Sequence, residues 1–214
     1  FHGWHDDVVH GFNPPFDADG SLGIPHGVRD HSVSIPDGDL EQVAEILAQR
    51  DDLAAVILEA TGASWGRVPL EVEFWQGLRE LTRRHDVLLI FDEIITGVGR
   101  TGQMFAAQTF GVTPDLLCLG KGLSGGYAPI AALLCRKHIA ETFWGDPESN
   151  PGFVEGHTFE GNPISSAAGL ATLSEILERD LCANVRTQGE RLRAGFESLK
   201  KHGIIGDIRG KGLM

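Results

Sequence analysis

Basic residues are scarce in this chain: 18 Lys and Arg stand against 30 Asp and Glu, giving a net charge of −12. That balance argues against a general nucleic-acid binder, whose affinity comes from Lys and Arg neutralising phosphates. It leaves room for one anionic ligand held locally. Cysteine is scarcer still. Cys118, Cys135 and Cys182 are widely spaced and form no Cys-x-x-Cys, so neither a disulfide framework nor a zinc ribbon is indicated. Cys118 and Cys135 lie inside apolar runs and are expected to be core thiols, which fits a reducing cytoplasm. No apolar run reaches the ~18 residues of a membrane span, and no signal-peptide pattern is visible. Internal repeats, low-complexity stretches and a dividing linker are also missing. The chain starts at Phe1 without an initiator Met and ends at Lys211-Gly212-Leu213-Met214 without a polar tail. It therefore reads as a segment of something longer.

What is present suits a globular core: 42% of the 214 residues are hydrophobic and 22% are charged, enough for one large domain or two small ones. Residues 1–37 are rich in His, Gly, Asp and Pro and read as mostly irregular, with a short helix near Asp6–Gly11. Asp39–Arg50 reads as a helix through Leu40, Val43, Ile46 and Leu47. Ala54–Glu59 is a short apolar strand ending in an acid. Pro69 opens a helix to Arg84, because proline's missing N–H has no partner in a first turn; Phe74, Leu78 and Leu81 mark its buried stripe. Val87–Asp92, Leu116–Leu119 and Pro129–Leu134 read as strands, and Gly97–Gly102 as a tight turn. Phe105–Phe110, Lys137–Phe143, Pro163–Glu178 and Cys182–Lys201 read as helices, and Ile204–Ile208 as a closing strand. Strands alternating with helices predict an α/β chain with a mostly parallel sheet. In such sheets ligands bind beyond the carboxyl ends of the strands, where Glu59, Asp92 and Lys121 all fall.

Two stretches carry the chemistry. Leu88-Leu89-Ile90-Phe91 runs into Asp92-Glu93, and Leu116-Leu117-Cys118-Leu119 runs into Gly120-Lys121-Gly122. Successive strand residues face opposite ways, so one of the two acids faces a ligand and the other is structural. A Walker B acid looks the same. However, a phosphate loop needs Gly-x-x-x-x-Gly-Lys-Ser/Thr; here Asp115 holds the first Gly position and Gly122 follows the lysine. Gly97, Gly99 and Gly102 fit Gly-x-Gly-x-x-Gly, but Asp92–Thr96 separates them from their strand, whereas a dinucleotide fingerprint follows its strand directly. An isolated lysine is normally a solvated charge. Lys121 instead sits between glycines at a strand end, where partial burial would leave a nucleophilic amine of the kind Schiff-base chemistry uses. His2, His5, Asp6, Asp7 and His10 have metal-like spacing but no completing ligand set; a hydrogen-bonded loop is the better reading. Thr158 or Asn162, before the Pro163 helix, suits either a helix cap or a phosphate.

Taken together and in order, Asp92–Gly102, Gly120–Tyr127 and His157–Pro163 resemble the class III aminotransferases, fold type I enzymes dependent on pyridoxal 5′-phosphate. The opening Phe1-His2-Gly3 and the closing Arg209–Met214 also match family patterns, so the resemblance spans the chain. It implies a three-layer α/β sandwich with a mostly parallel central sheet, incomplete at both ends. Residues 1–208 would be the central part of the cofactor-binding domain and 209–214 the start of a connection to a C-terminal small domain. By the same resemblance Lys121 forms the Schiff base with the cofactor and shuttles the proton. Asp92 pairs with the pyridine nitrogen, Ile94 packs on one ring face and Phe1, commonly Tyr in the family, on the other. His2 belongs to the same cofactor-binding set, and Glu59 lies near the cofactor. Thr158 reaches the phosphate of a partner subunit's cofactor, which implies a homodimer. Ala60, where the family often has Pro, and Val98, where it often has Phe, depart from the pattern. The phosphate loop would precede Phe1 and the small domain would follow Met214, so the segment alone, lacking layers of its sheet and interface, is expected to fold poorly and to be inactive.

The implied activity is transfer of an amino group from an amine or amino-acid donor to an oxo acid, in the cytoplasm. The alternative is a 2,1-aminomutase of the glutamate-1-semialdehyde type. Gly99-Arg100-Thr101-Gly102 looks more like transaminases, and Gly62–Gly66 more like aminomutase-like members. A non-catalytic relative or a nucleotide-binding module fits less well, given the intact lysine and acid and the failed phosphate loop. No metal, nucleic acid or membrane is expected as a partner.

Overall fold

The computed structural model describes residues 1–9, 23–35, 38–60, 71–144, 146, 148 and 152–214. His10, the Gly62–Gly66 loop and Pro69 lie outside these residues. Four strands form one sheet in sequence order: β1 Ala55–Glu59, β2 Leu88–Asp92, β3 Leu116–Leu119 and β4 Ala132–Cys135. β1, β2 and β3 are parallel, and β4 returns antiparallel to β3. Eight helices accompany them among the described residues: α1 Asp6–Val9, α2 His26–Arg29, α3 Leu40–Gln49, α4 Val72–Arg84, α5 Ala106–Phe110, α6 Lys137–Glu141, α7 Pro163–Glu178 and α8 Leu181–Glu197. The predicted α/β class with a mostly parallel sheet is what the chain adopts.

The core forms where α3, α4 and α5 cover one sheet face. Strand alternation points Leu89 and Phe91 of β2 and Leu117 and Leu119 of β3 into that face, and all four are buried. Trp75 of α4 stacks on Phe110 of α5 at 5.0 Å and meets the edge of Phe91 at 4.6 Å. Gly77 lets Leu40 of α3 press against α4; a Cβ there would lie 2.6 Å from the leucine Cδ1. The other face is only half-buried at Leu88, Ile90, Leu116 and Cys118.

One buried ion pair ties the elements together. Arg79 of α4 donates to Asp115 at 2.6 Å, and the Leu89 N–H of β2 donates to the same oxygen at 2.8 Å. The Arg136 guanidinium stands 3.9 Å from the other oxygen. Burial works against ionisation of Asp115, but the Leu89 N–H and the Arg79 guanidinium outweigh it and hold the carboxyl below its usual range.

Three expectations are corrected. α4 begins at Val72, with Glu71 at its N-cap, later than the expected start. Ile204–Ile208 pairs with no strand among the described residues, and Ile204 is 88% exposed. Cys135 is exposed rather than a core thiol, because β4, the last strand of the sheet among the described residues, has neither face covered and all four of its residues are exposed.

Candidate active site

The parallel ladder sets the first contacts. Glu59 and Asp92 end β1 and β2 and are register partners, and Asp92 is opposite Cys118 of β3. Neighbouring strands run ~4.8 Å apart, so the two carboxylates emerge side by side at one edge. Lys121 follows two residues after β3 and opens a 3-10 turn, Lys121–Ser124. That turn packs against α7. Lys121 takes φ +42°, a left-handed conformation uncommon for a side-chain-bearing residue. It is exposed, so the expected partial burial is absent.

Asp92 is 7% exposed and engaged at both oxygens. The Ile94 N–H donates to Oδ1 at 3.1 Å, and His2 Nδ1 meets Oδ2 at 2.8 Å. Glu59 Oε1 accepts from the Phe1 nitrogen at 2.6 Å. Two adjacent strand ends thus grip the first two residues of the chain. The Phe1 ring meets Trp4 edge-on at 5.1 Å. Ile94 lies over Gly120, where a Cβ would come within 2.9 Å of its Cδ1, so a larger residue there would make the isoleucine tip shift.

Glu93 points the other way, as strand alternation requires. It is fully buried and accepts from the Ala106 and Ala107 N–H groups at 2.7 and 2.8 Å, with the Thr96 hydroxyl at 3.4 Å. It therefore caps α5 with a side chain from outside the helix. Burial pushes its carboxyl up, against the pull of those donors. Burial, with the nearby Asp92 carboxylate, also pushes the Cys118 thiol up, which keeps that sulfur protonated.

Phe1, His2, Glu59, Asp92, Ile94 and Lys121 all come to this edge. Thr158 stands in the exposed turn ahead of α7, and no hydrogen bond joins it to the others among the described residues. Asn162, not Thr158, caps α7: its Oδ1 accepts from the Ile164 and Ser165 N–H groups at 3.0 and 3.1 Å. The His2–Asp92 contact itself was not foreseen, although the Phe1-His2-Gly3 match had placed His2 with Asp92 in the cofactor-binding set. His5 and His31 instead pair with Asp7, at 2.8 and 3.1 Å.

An amine, a doubly anchored carboxylate, an aliphatic cover and an aromatic ring at one edge fit pyridoxal 5′-phosphate. That cofactor needs an amine to condense with and an acceptor for a protonated ring nitrogen. Comparisons with known proteins give the family. The family model for aminotransferase class-III matches residues 25–214. The adenosylmethionine-8-amino-7-oxononanoate aminotransferase of Aquifex aeolicus is 41% identical over 181 residues, covering 82% of this chain and 39% of that protein. The acetylornithine aminotransferase of Corynebacterium efficiens is 40% identical over 192 residues, covering 89% and 44%. The crystal structure of acetylornithine aminotransferase from Elizabethkingia anophelis superposes with a TM-score of 0.76 at 32% identity, over 85% of this chain and 44% of that one. A Bacillus anthracis aminotransferase gives 0.77 at 32% identity, over 81% and 39%. The chain thus spans about two fifths of the length of the curated relatives it matches.

Proposed function

The chain belongs to the class III aminotransferase family, and on that premise we propose that the whole protein moves an amino group from an amine or amino acid to an oxo acid, using pyridoxal 5′-phosphate. One observation carries the reading: Asp92 and Lys121 leave adjacent parallel strands at the same edge of the sheet. Residues 1–208 are the central part of the cofactor domain in this reading, and 209–214 begin the connection to a further domain.

Each residue has a separate task. Lys121 would be the residue that holds the cofactor through its Nζ, and the same amine would be placed to carry the proton moved during transfer. Asp92, held by Ile94 N–H and His2, offers its remaining lone pairs to a protonated ring nitrogen. When bound, the cofactor supplies an electron-accepting ring. Ile94 would cover one side of that ring and Phe1 the other, without the phenol a tyrosine would bring. Glu59 would lie near the cofactor as a supporting residue. Thr158 serves the phosphate site of a second subunit, so the working unit is a homodimer. A cytoplasmic setting is supported by Cys118, Cys135 and Cys182, all of them free thiols. No helix among the described residues is long and apolar enough to cross a membrane.

The relatives compared above are aminotransferases, which favours transfer over the 2,1-aminomutase reading. Borohydride reduction of the full-length protein with pyridoxal 5′-phosphate, followed by peptide mapping, is expected to label Lys121 and to lose the label in Lys121→Ala. A label on another lysine overturns the assignment. The same preparation is expected to consume an added oxo acid in step with the amino donor, which a mutase has no need to do.

A further inference from the structure

We propose that Val98 is a positioning residue for Lys121: its side chain holds the turn that carries the lysine, and so sets where the amine stands, without touching the cofactor. This rests on the reading of Lys121 given above. Val98 takes φ +58°. A β-branched residue in that left-handed region is an outlier, and such strain persists only where the surroundings over-determine it. Here they do. The Gly97 N–H donates to the Glu93 oxygen at 2.9 Å and the Gly99 N–H to the Met104 oxygen at 3.1 Å, so the backbone on both sides of Val98 is fixed. Glycine takes such a conformation freely, as the next residue, Gly99, does at φ +87°. Position 98 instead carries a branched side chain, half-buried and packed against the core.

What that side chain meets is the lysine turn. A Cβ on Gly122 would stand 3.8 Å from Val98 Cβ, an ordinary packing distance, so Val98 lies directly against the residue after Lys121. Ahead of the lysine, Ile94 lies over Gly120, and Gly97 passes so close to Leu119 that a Cβ there would be 2.9 Å from the leucine Cδ2. The segment after β2 thus bears on the chain both before and after Lys121. The lysine is itself left-handed at φ +42°. Its turn is closed by the Leu123 N–H donating to the Gly120 oxygen and the Gly125 N–H to the Gly122 oxygen, each at 3.0 Å. Beyond Gly122 the turn rests on α7, where a Cβ on Gly169 would stand 3.6 Å from the Leu123 oxygen. Because Lys121 is exposed, its direction is set by this backbone, and Val98 bears on that backbone from the β2 side.

Positioning and packing are separated in the full-length apoprotein. Lys121 Nζ condenses with the aldehyde of pyridoxal 5′-phosphate, with loss of water, and absorbance follows the rate of that Schiff-base formation. Pyridoxine 5′-phosphate lacks the aldehyde, so its dissociation constant reads the remaining contacts alone. A melting curve of each variant checks that it is folded. Val98→Gly removes the side chain and the strain together. It is expected to slow Schiff-base formation on the order of tenfold, as displacement of one reacting group implies, while the dissociation constant of pyridoxine 5′-phosphate stays at the parent value. Val98→Ala, which also loses the contact, is expected to be slow in the same way, so the result does not depend on one variant. Val98→Ile keeps the branch at Cβ and is expected to keep the parent rate. The proposal is overturned if the folded Gly and Ala variants react as fast as the parent, or if Val98→Ile is as slow as Val98→Gly. It is also overturned if affinity for pyridoxine 5′-phosphate falls by the same factor as the rate, since that is what general loosening of the site would give. Lys121→Ala separates the two levels. If it abolishes Schiff-base formation while Val98→Gly changes nothing, the role of Val98 fails and that of Lys121 stands. If Lys121→Ala forms the Schiff base as the parent does, the reading of the site itself fails.

Discussion

Asp92 and Glu93 are adjacent carboxylates with opposite fates, and backbone alternation accounts for the difference. Asp92 reaches the carboxyl edge of the sheet, while Glu93 turns into the protein to satisfy backbone N–H groups. Asp115 shows the same principle in a structural role. Its carboxyl is held below the ordinary range, so its contribution to stability is present above the unfolded carboxylate value of about 3.9 and is lost as pH falls through the folded value. Asp115→Asn in the intact protein keeps an acceptor for the Leu89 N–H but strands the buried Arg79 charge. A loss of about 3 kcal/mol at neutral pH is expected, together with a flatter decline of stability below about pH 4. Urea denaturation at a series of pH values measures both. An unchanged acid limb would place the acid sensitivity elsewhere.

At the scale of elements, α5 depends on a cap that is remote in sequence. The helix has only five residues, too few to stand without tertiary support. Glu93→Gln leaves one acceptor oxygen for two N–H groups and turns a donor toward the second. A cost of about 1–3 kcal/mol is expected for the orphaned group. It should be visible as a lower denaturant midpoint and as faster hydrogen exchange at Ala106 or Ala107. Much of this layer was legible from sequence. β1 through β3 and α3, α7 and α8 begin and end within a residue or so of expectation, except that α8 gives way to a 3-10 turn at Ser198–His202, because period and capping residues are local signals. The misses are non-local. α4 starts at Val72, capped by Glu71, later than expected. Ile204–Ile208 has the composition of a strand but no pairing partner, and Cys135 looks like core until β4 is seen to have neither face covered. Trp75, the largest fully buried side chain, lay outside the predicted stripe because its partners, Phe91 and Phe110, belong to other elements.

Across the whole molecule, the residues of the site were legible as types at strand ends, while their contacts were not. Lys121, Asp92 and Glu59 could be placed by counting from apolar runs. The grip of Glu59 and Asp92 on Phe1 and His2 spans 58 and 90 residues and leaves no periodic trace. A second long-range joint closes the other end. Arg186 of α8 donates to the Gly102 oxygen at 2.6 Å, and Leu213 N–H donates to the Arg100 oxygen at 3.1 Å. Between them Gly189 of α8 meets Gly212 so closely that a Cβ would stand 2.3 Å from the Gly212 oxygen. Gly189→Ala is expected to lower stability by about 1–3 kcal/mol through this overpacking. Gly195→Ala, on the same helix with nothing within 4 Å, is expected to be neutral or to gain up to about 1 kcal/mol from helix propensity. Thermal melts of the pair in the intact protein compare them directly, and equal melting temperatures would mean that the joint yields freely.

The same joint restricts how such proteins can be recombined. Gly212 packs against the backbone of Arg100 and Thr101 on one side and against Gly189 on the other, so three distant stretches meet main chain to main chain. Chimeras that exchange segments between relatives would do well to inherit Gly97–Gly102, α8 and Arg209–Met214 from one parent. A crossover between them sets backbones with different spacing against each other, and no repacking of side chains can absorb that mismatch.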